Sequence, residues 1–122
     1  MGKQLGAGGE GIVKAHLERL GWRILASNYR CKAGEMDLIA EEIVHNDTTL
    51  VFVEVKTRRG RTHGAPIEAV DERKQSKLTA IAQCYLGERD AGGAEPSCRF
   101  DVAEVVFGPD GLATVTLHRA AF

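Results

Sequence analysis

Between Glu10 and Leu20, the residues Ile12, Val13, His16, Leu17 and Leu20 recur at three- and four-residue steps, the spacing of one helix face. Gly21 follows directly, and a glycine just past the last periodic residue stops a helix. WRILASNYR then predicts a short strand and a turn. EMDLIAEEIV and TLVFVEVKT are two strand-like runs around HNDT, which reads as a hairpin turn. Residues 66–87 predict a second helix, with Pro66 near its start, Gly87 at its end, and Ile67, Val70, Leu78, Ile81, Ala82 and Tyr85 as its apolar face. After the linker-like loop ERDAGGAEPS come RFDVAEVVF and LATVTLH, a second hairpin around GPDG. Helix, strands, helix, two strands predict an α/β or α+β layer, with α/β preferred: one mixed sheet covered by helices, in a single domain over residues 1–122.

One strand breaks its own pattern. Leu50, Val51, Phe52, Val53 and Val55 suit a buried strand, yet Glu54 and Lys56 fall on the face shared by Leu50 and Phe52. On the preceding strand Glu35 and Asp37 share one face, and Met36, Leu38 and Ala40 the other. A two-residue turn at Asn46–Asp47 sets Asp37 opposite Lys56 and diagonal to Glu54. Carboxylates crowded beside apolar neighbours need a counter-charge. Lys56 supplies one; a hard divalent cation supplies a better one, and Mg²⁺ is content with one or two carboxylates plus water and phosphate. The plainer alternative is a wet sheet face pairing opposite charges.

Composition narrows the classes. With 43% hydrophobic and 27% charged residues the chain has the make-up of a globular protein rather than a disordered one. No apolar run is long enough to span a membrane, and MGKQLGAGGEG lacks the apolar centre of a secretory signal, so the expectation is a cytoplasmic protein with no membrane partner. Cys31, Cys84 and Cys98 form an odd set without metal-ligand spacing and read as reduced thiols. The net charge of −1 gives no global reason for a nucleic-acid partner. Locally, Lys56, Arg58, Arg59 and Arg61 cluster with His63 just beyond, and Arg73, Lys74 and Lys77 form a second basic group on the predicted helix.

Asp37 followed by Glu54-x-Lys56 at the end of an apolar strand resembles the metal-binding signature of the PD-(D/E)XK nuclease superfamily. Glu10, in the first helix, is similar to the extra carboxylate of the archaeal Holliday-junction resolvases in that superfamily. Closer still, GE…L…GWRIL…NYRCKAGEMDLIA…LVFVEVKTR…HGAP.EAV…K…L…A..YL…RFDV resembles the YraN-like family of small bacterial proteins from Gly9 to Val102. Two features depart from that family: Gly11, where a better helix former is usual, and EEIVHNDTT, longer than its common turn.

The resemblance implies a restriction-endonuclease-like fold, a central mixed sheet of about five strands flanked by helices. It implies a metal-dependent nuclease acting on structured or branched DNA, with Asp37, Glu54, Lys56 and Glu10 as catalytic residues. Mg²⁺ or Mn²⁺ would be held by Asp37, Glu54, the Val55 carbonyl and Glu10. Arg58, Arg59 and Arg61 would contact phosphates, and a homodimer would suit a symmetric junction. A nucleic-acid-binding module that keeps the fold without cutting is the alternative, and a structural protein whose carboxylates only make surface ion pairs is a third. Other signals read as structural. GAGGEG matches a dinucleotide fingerprint only formally, lacking a preceding strand, and reads as a flexible lead into the helix. Lys74 and Gln75 sit where related nucleases sometimes place further site residues, but read rather as a solvated helix face. Trp22 and Tyr29 read as packing residues, and Arg99, Phe100 and Asp101 as a structural strand start. His63 reads as a phosphate contact or loop residue.

Overall fold

The computed structural model describes residues 2–59, 71–89 and 96–121; the side chains of residues 2–7 and of Arg59 lie outside that description. Helix α1 (Gly2–Arg19) is followed by β1 (Arg23–Cys31), β2 (Gly34–Val44) and β3 (Asp47–Arg59). Helix α2 (Glu72–Glu88), β4 (Ser97–Phe107) and β5 (Ala113–His118) complete the order. The five strands form one mixed sheet in the order β1-β2-β3-β4-β5. Only β3 and β4 run parallel, and α2 lies in the crossover between them, as a parallel pair requires.

The helices cover opposite faces. Val13 and Leu17 of α1 are fully buried with Trp22, Leu38, Ala40, Val51, Val53, Ala103 and Val105. Leu78, Ile81 and Ala82 of α2 pack with Met36, Ile39, Leu50 and Phe52 on the other side. Each helix thus buries the middle of the apolar stripe its periodicity defined, while Leu20 at the end of the α1 stripe is exposed and Ile67 and Val70 of the α2 stripe lie outside the described residues. Sheet burial on both faces explains why β3 is a near-continuous apolar run. At the end of α1 the N–H of Trp22 bonds the carbonyl of Leu17 at 3.0 Å while Gly21 takes φ 91°, the left-handed conformation that makes glycine the helix stop.

Helix α1 begins earlier than Glu10: the glycine-rich segment is helical, not a flexible lead. Its glycines serve close approach as well as helix. A Cβ at Gly9 would overlap Thr57 Oγ1, whereas one at Gly11 would meet nothing within 4 Å. The bare backbone at Gly9 therefore sets α1 against the end of β3, beside Glu10. Helix α2 is described from the N-cap Asp71, whose side chain accepts from the Lys74 N–H at 2.8 Å. It runs one residue past Gly87. Its expected start at residues 66–70 lies outside the described residues.

The β2–β3 turn is made by His45 and Asn46, at φ 50° and 70°, not by Asn46 and Asp47. Positive φ at both central residues is the hairpin turn whose twist suits the flanking strands. Val44 consequently pairs with Asp47, and the ladder ends at Leu38–Val53. Continued, that register brings Asp37 level with Glu54 rather than Lys56.

A second irregularity changes the faces. Met36 joins the α2-side cluster although Leu38 and Ala40 face α1, so strict alternation fails at Asp37. Across the β1–β2 ladder the pairs Ser27–Leu38 and Tyr29–Met36 flank this point, and Asn28 between them takes φ 53°. The two strands kink together there.

At the opposite end of the sheet a buried charge cluster ties the chain together. Asp101, 1% exposed, accepts from Arg99 Nε at 2.8 Å and from the Ala120 N–H at 2.9 Å. Glu42 accepts from Arg99 at 2.7 Å and Arg119 at 2.9 Å, and both guanidinium groups lie over buried Trp22. Arg99 and Asp101 thus hold the start of β4, and Trp22 is a packing residue. Tyr29 packs edge-on against Tyr85 and donates to Glu88 at 2.8 Å, joining β1 to α2. Cys31, Cys84 and Cys98 are free thiols. No helix among the described residues is long and apolar enough to cross a membrane.

Candidate metal centre

The kink at Asp37 makes the site. Past Leu38–Val53 the backbone of β2 no longer pairs with β3, and Asp37 Oδ2 accepts from the Val55 N–H at 2.7 Å in place of a backbone carbonyl. The half-buried carboxylate is thereby held at the seam between the strands, with a buried donor satisfied.

Glu10 reaches the same point from α1. Its side chain lies beside Asp37 and Asn28 and interacts with the Asp37 charge, so helix, β1 and β2 meet at one pair of carboxyl groups. Burial raises the Asp37 pKa above the ordinary carboxylate range, and the Glu54 charge adds to it; the Val55 N–H and Glu10 oppose without cancelling. Burial and the Asp37 charge likewise raise Glu10. Carboxyl groups each raised by burial and by the charge of a neighbouring carboxylate are the mark of surplus negative charge at one place.

Glu54 is close enough for its charge to act on Asp37, and it also lies on the α2 side, where Lys74 Nζ donates to its Oε1 at 3.0 Å. Lys56, half-buried, forms no ion pair among the described residues. The counter-charge expected from Lys56 is therefore supplied to Glu54 by Lys74, which faces β3 rather than solvent. Val55 packs its side chain against the α1-side core. Among the described residues no three His, Cys, Asp or Glu side chains already stand at ligand spacing.

The basic cluster divides. Arg58 is largely buried and pairs with Glu104 at 3.1 Å, which also meets His118 at 3.4 Å. Arg59 is the last residue of β3. Arg61 and His63 lie outside the described residues. Of the residues at this point, Asn28 escaped the sequence reading, and Lys74 reads there as solvated. Asn28 had a signal, since Asn tolerates the left-handed conformation better than most residues. Lys74 had one too, four residues before Leu78 and so on the buried stripe of α2, but its partner Glu54 comes from another element, which is why it reads as solvated.

The side chains near this seam are of the oxygen type that a hard divalent cation takes: Asp37 and Glu54 from adjacent strands, and Glu10 from α1. Comparison with known proteins places the chain among relatives of similar length. A protein of Symbiobacterium thermophilum is 46% identical over 122 residues, covering 100% of this chain and 98% of its own. One of Alkaliphilus metalliredigens is 44% identical over 110 residues, covering 90% and 91%. One of Desulforamulus reducens is 45% identical over 116 residues, covering 95% and 92%. All three carry the family designation UPF0102 as their name. With residues 9–105 also matching that family as a whole, the chain belongs to uncharacterised protein family UPF0102, the YraN-like proteins its sequence resembles.

Proposed function

We propose that this protein is a metal-dependent nuclease with a restriction-endonuclease-like fold of the PD-(D/E)XK type, hydrolysing phosphodiester bonds in structured or branched DNA. The observation that carries the reading is the placement of Asp37. It sits where β2 parts from β3, fixed by the Val55 N–H, within electrostatic reach of Glu54 and beside Glu10. A strand that only buries a core gains nothing from breaking its ladder around a half-buried acid.

Asp37 and Glu54 would hold Mg²⁺ or Mn²⁺, with the Val55 carbonyl and Glu10 completing the oxygen set. When bound, the cation supplies positive charge to the phosphate and makes a water easier to deprotonate. Lys56 extends from the same strand as Glu54, two residues on, with its ammonium uncommitted to any described carboxylate. It orients the attacking water and offsets the charge that develops on the phosphate oxygens. Arg59 and Arg61 contact flanking phosphates, which gives affinity without sequence information. A symmetric pair of chains would present two such sites to a four-way junction.

The test is a cleavage panel of linear, flapped and four-way DNA and of RNA, with Mg²⁺ or Mn²⁺. Wild type should cut, and Asp37→Asn, Glu54→Gln and Lys56→Gln should bind the same substrates without cutting. Wild type that binds but never cuts, whatever the metal or substrate shape, would leave the non-catalytic binding module as the function.

A further inference from the structure

We infer that Lys74 is a positioning residue of this site, holding Glu54 in the cation-free protein and competing with a divalent cation for it. This role presupposes the metal site proposed above. Its basis is the contact of 3.0 Å between Lys74 Nζ and Glu54 Oε1, while the lysine two residues from Glu54 in the sequence makes no ion pair among the described residues.

The contact is built into the fold. Asp71 caps α2 by accepting from the Lys74 N–H at 2.8 Å, and its carbonyl accepts from the Gln75 N–H at 2.9 Å. The first turn of α2 is thereby set, and Lys74 is turned toward β3. Arg73, beside it, is exposed. Glu54 and Lys74 are themselves only partly covered, with side-chain exposures of 27% and 38%. An ion pair this accessible is weak enough for a cation to displace, yet strong enough to register in the cation's affinity. Lysine chemistry suits such an exchange, because a compact charge on a flexible stem can leave its carboxylate without disturbing the backbone.

Neutralising Lys74 should therefore tighten cation binding, the reverse of what loss of a ligand does. Calorimetric titration of Mn²⁺ into metal-free protein tests this. Lys74→Gln should bind roughly two- to fivefold more tightly than wild type, the upper part of the range of an exposed ion pair. Lys74→Arg, which keeps the charge, should stay within about twofold of wild type. Arg73→Gln removes a neighbouring charge without touching Glu54 and should also change the affinity by no more than about twofold. Asp37→Asn should lose most of the binding.

A second readout needs no variant. Labelling of wild type by an amine-reactive reagent should show Lys74 more reactive with Mn²⁺ present, and Lys77 unchanged. Lys74→Gln binding no more tightly than Arg73→Gln, or Lys74 labelling indifferent to Mn²⁺, would overturn this role alone, since Asp37→Asn reports the metal site separately. Wild type with no saturable Mn²⁺ binding would overturn the role and the metal site together.

Discussion

Gly9 and Gly11 are near neighbours on α1 and opposite in consequence. At Gly11 a methyl group meets nothing within 4 Å, so Gly11→Ala only removes the entropic cost of glycine in a helix. That should stabilise by about 0.8–1 kcal/mol. At Gly9 the same helical gain is set against overlap with Thr57 Oγ1, on the backbone-proximal part of a β-branched side chain that cannot swing far aside. Overpacking of this kind costs about 1–3 kcal/mol, so Gly9→Ala should range from neutral to about 2 kcal/mol destabilising. The two alanine variants should therefore differ by about 1–3 kcal/mol in denaturant midpoint analysis at constant m. The double variant Gly9→Ala with Thr57→Ala removes the offending oxygen and leaves no nearer side-chain atom than the Thr57 Cβ position at 3.4 Å. It should recover most of the loss, a coupling that a double-mutant cycle measures directly. Because Glu10 follows Gly9, the single variant should also weaken Mn²⁺ binding while the double variant restores it. Gly9→Ala at least as stable as Gly11→Ala would refute the close docking of α1 on β3.

Other consequences can be read from charge. The Asp37 carboxyl is raised in the folded protein, chiefly by burial, so its stability contribution is present at low pH and lost as pH rises through the folded value. Asp37→Asn should accordingly melt higher than metal-free wild type at pH 7, by a margin that closes near pH ~4. If Mg²⁺ binds wild type with a Kd of about 1 mM, 10 mM should add about 1.4 kcal/mol, a Tm rise of roughly 5 °C that Asp37→Asn lacks at matched ionic strength. Burial raises Glu42, but Arg99 and Arg119 outweigh it and hold the carboxyl below its usual value, so here stability is present at neutral pH and lost as pH falls through the depressed value. Glu42→Gln should cost about 2–4 kcal/mol in urea unfolding at pH 7, and its difference from wild type should shrink below pH ~4. Arg59→Ala and Arg61→Ala should each lower the salt dependence of DNA binding by about one ion, seen as a shallower log–log slope. Arg58→Ala should instead lower the melting temperature, because it leaves half-buried Glu104 with only the longer His118 contact of its two ion pairs.

What the sequence made legible was set by periodicity. Val13 and Leu17, Leu78 and Ile81, and the alternating residues of β3 all went where their spacing put them, because burial of an apolar stripe dominates the choice of face. The mixed five-stranded sheet followed from the order of those elements. The turn was misplaced by one residue because both left-handed positions had to be assigned, and His45 is a less obvious tenant of such a position than Asn46 or Asp47. Gly9 and Gly11 look alike until a neighbour from another element stands beside one of them. Lys74 falls on the spacing of Leu78, Ile81 and Tyr85, so its place beside the sheet was readable, but its pairing with Glu54 was not.

Asp37 shows why the site itself was the least legible part. The sequence identified the residue but assumed an unbroken strand, in which alternation alone decides its side. A strand that keeps its ladder sends successive side chains to opposite faces, and carboxylates from neighbouring strands then meet only if register and parity both allow it. Here Glu54 keeps the regular geometry of β3, and Asp37 gives up its own. The left-handed Asn28 opposite it lets β1 follow the departure, and the Val55 N–H freed by the lost backbone pairing is satisfied by the Asp37 side chain. The same bond that repairs the broken ladder therefore aims the carboxylate at the seam. A departure from periodicity that partners the freed Val55 N–H and leaves no buried side-chain polar atom unpartnered among the described residues carries little cost to the fold. Such a device can sit in the middle of a core sheet, and its sequence signature is only an acid where alternation would tolerate one.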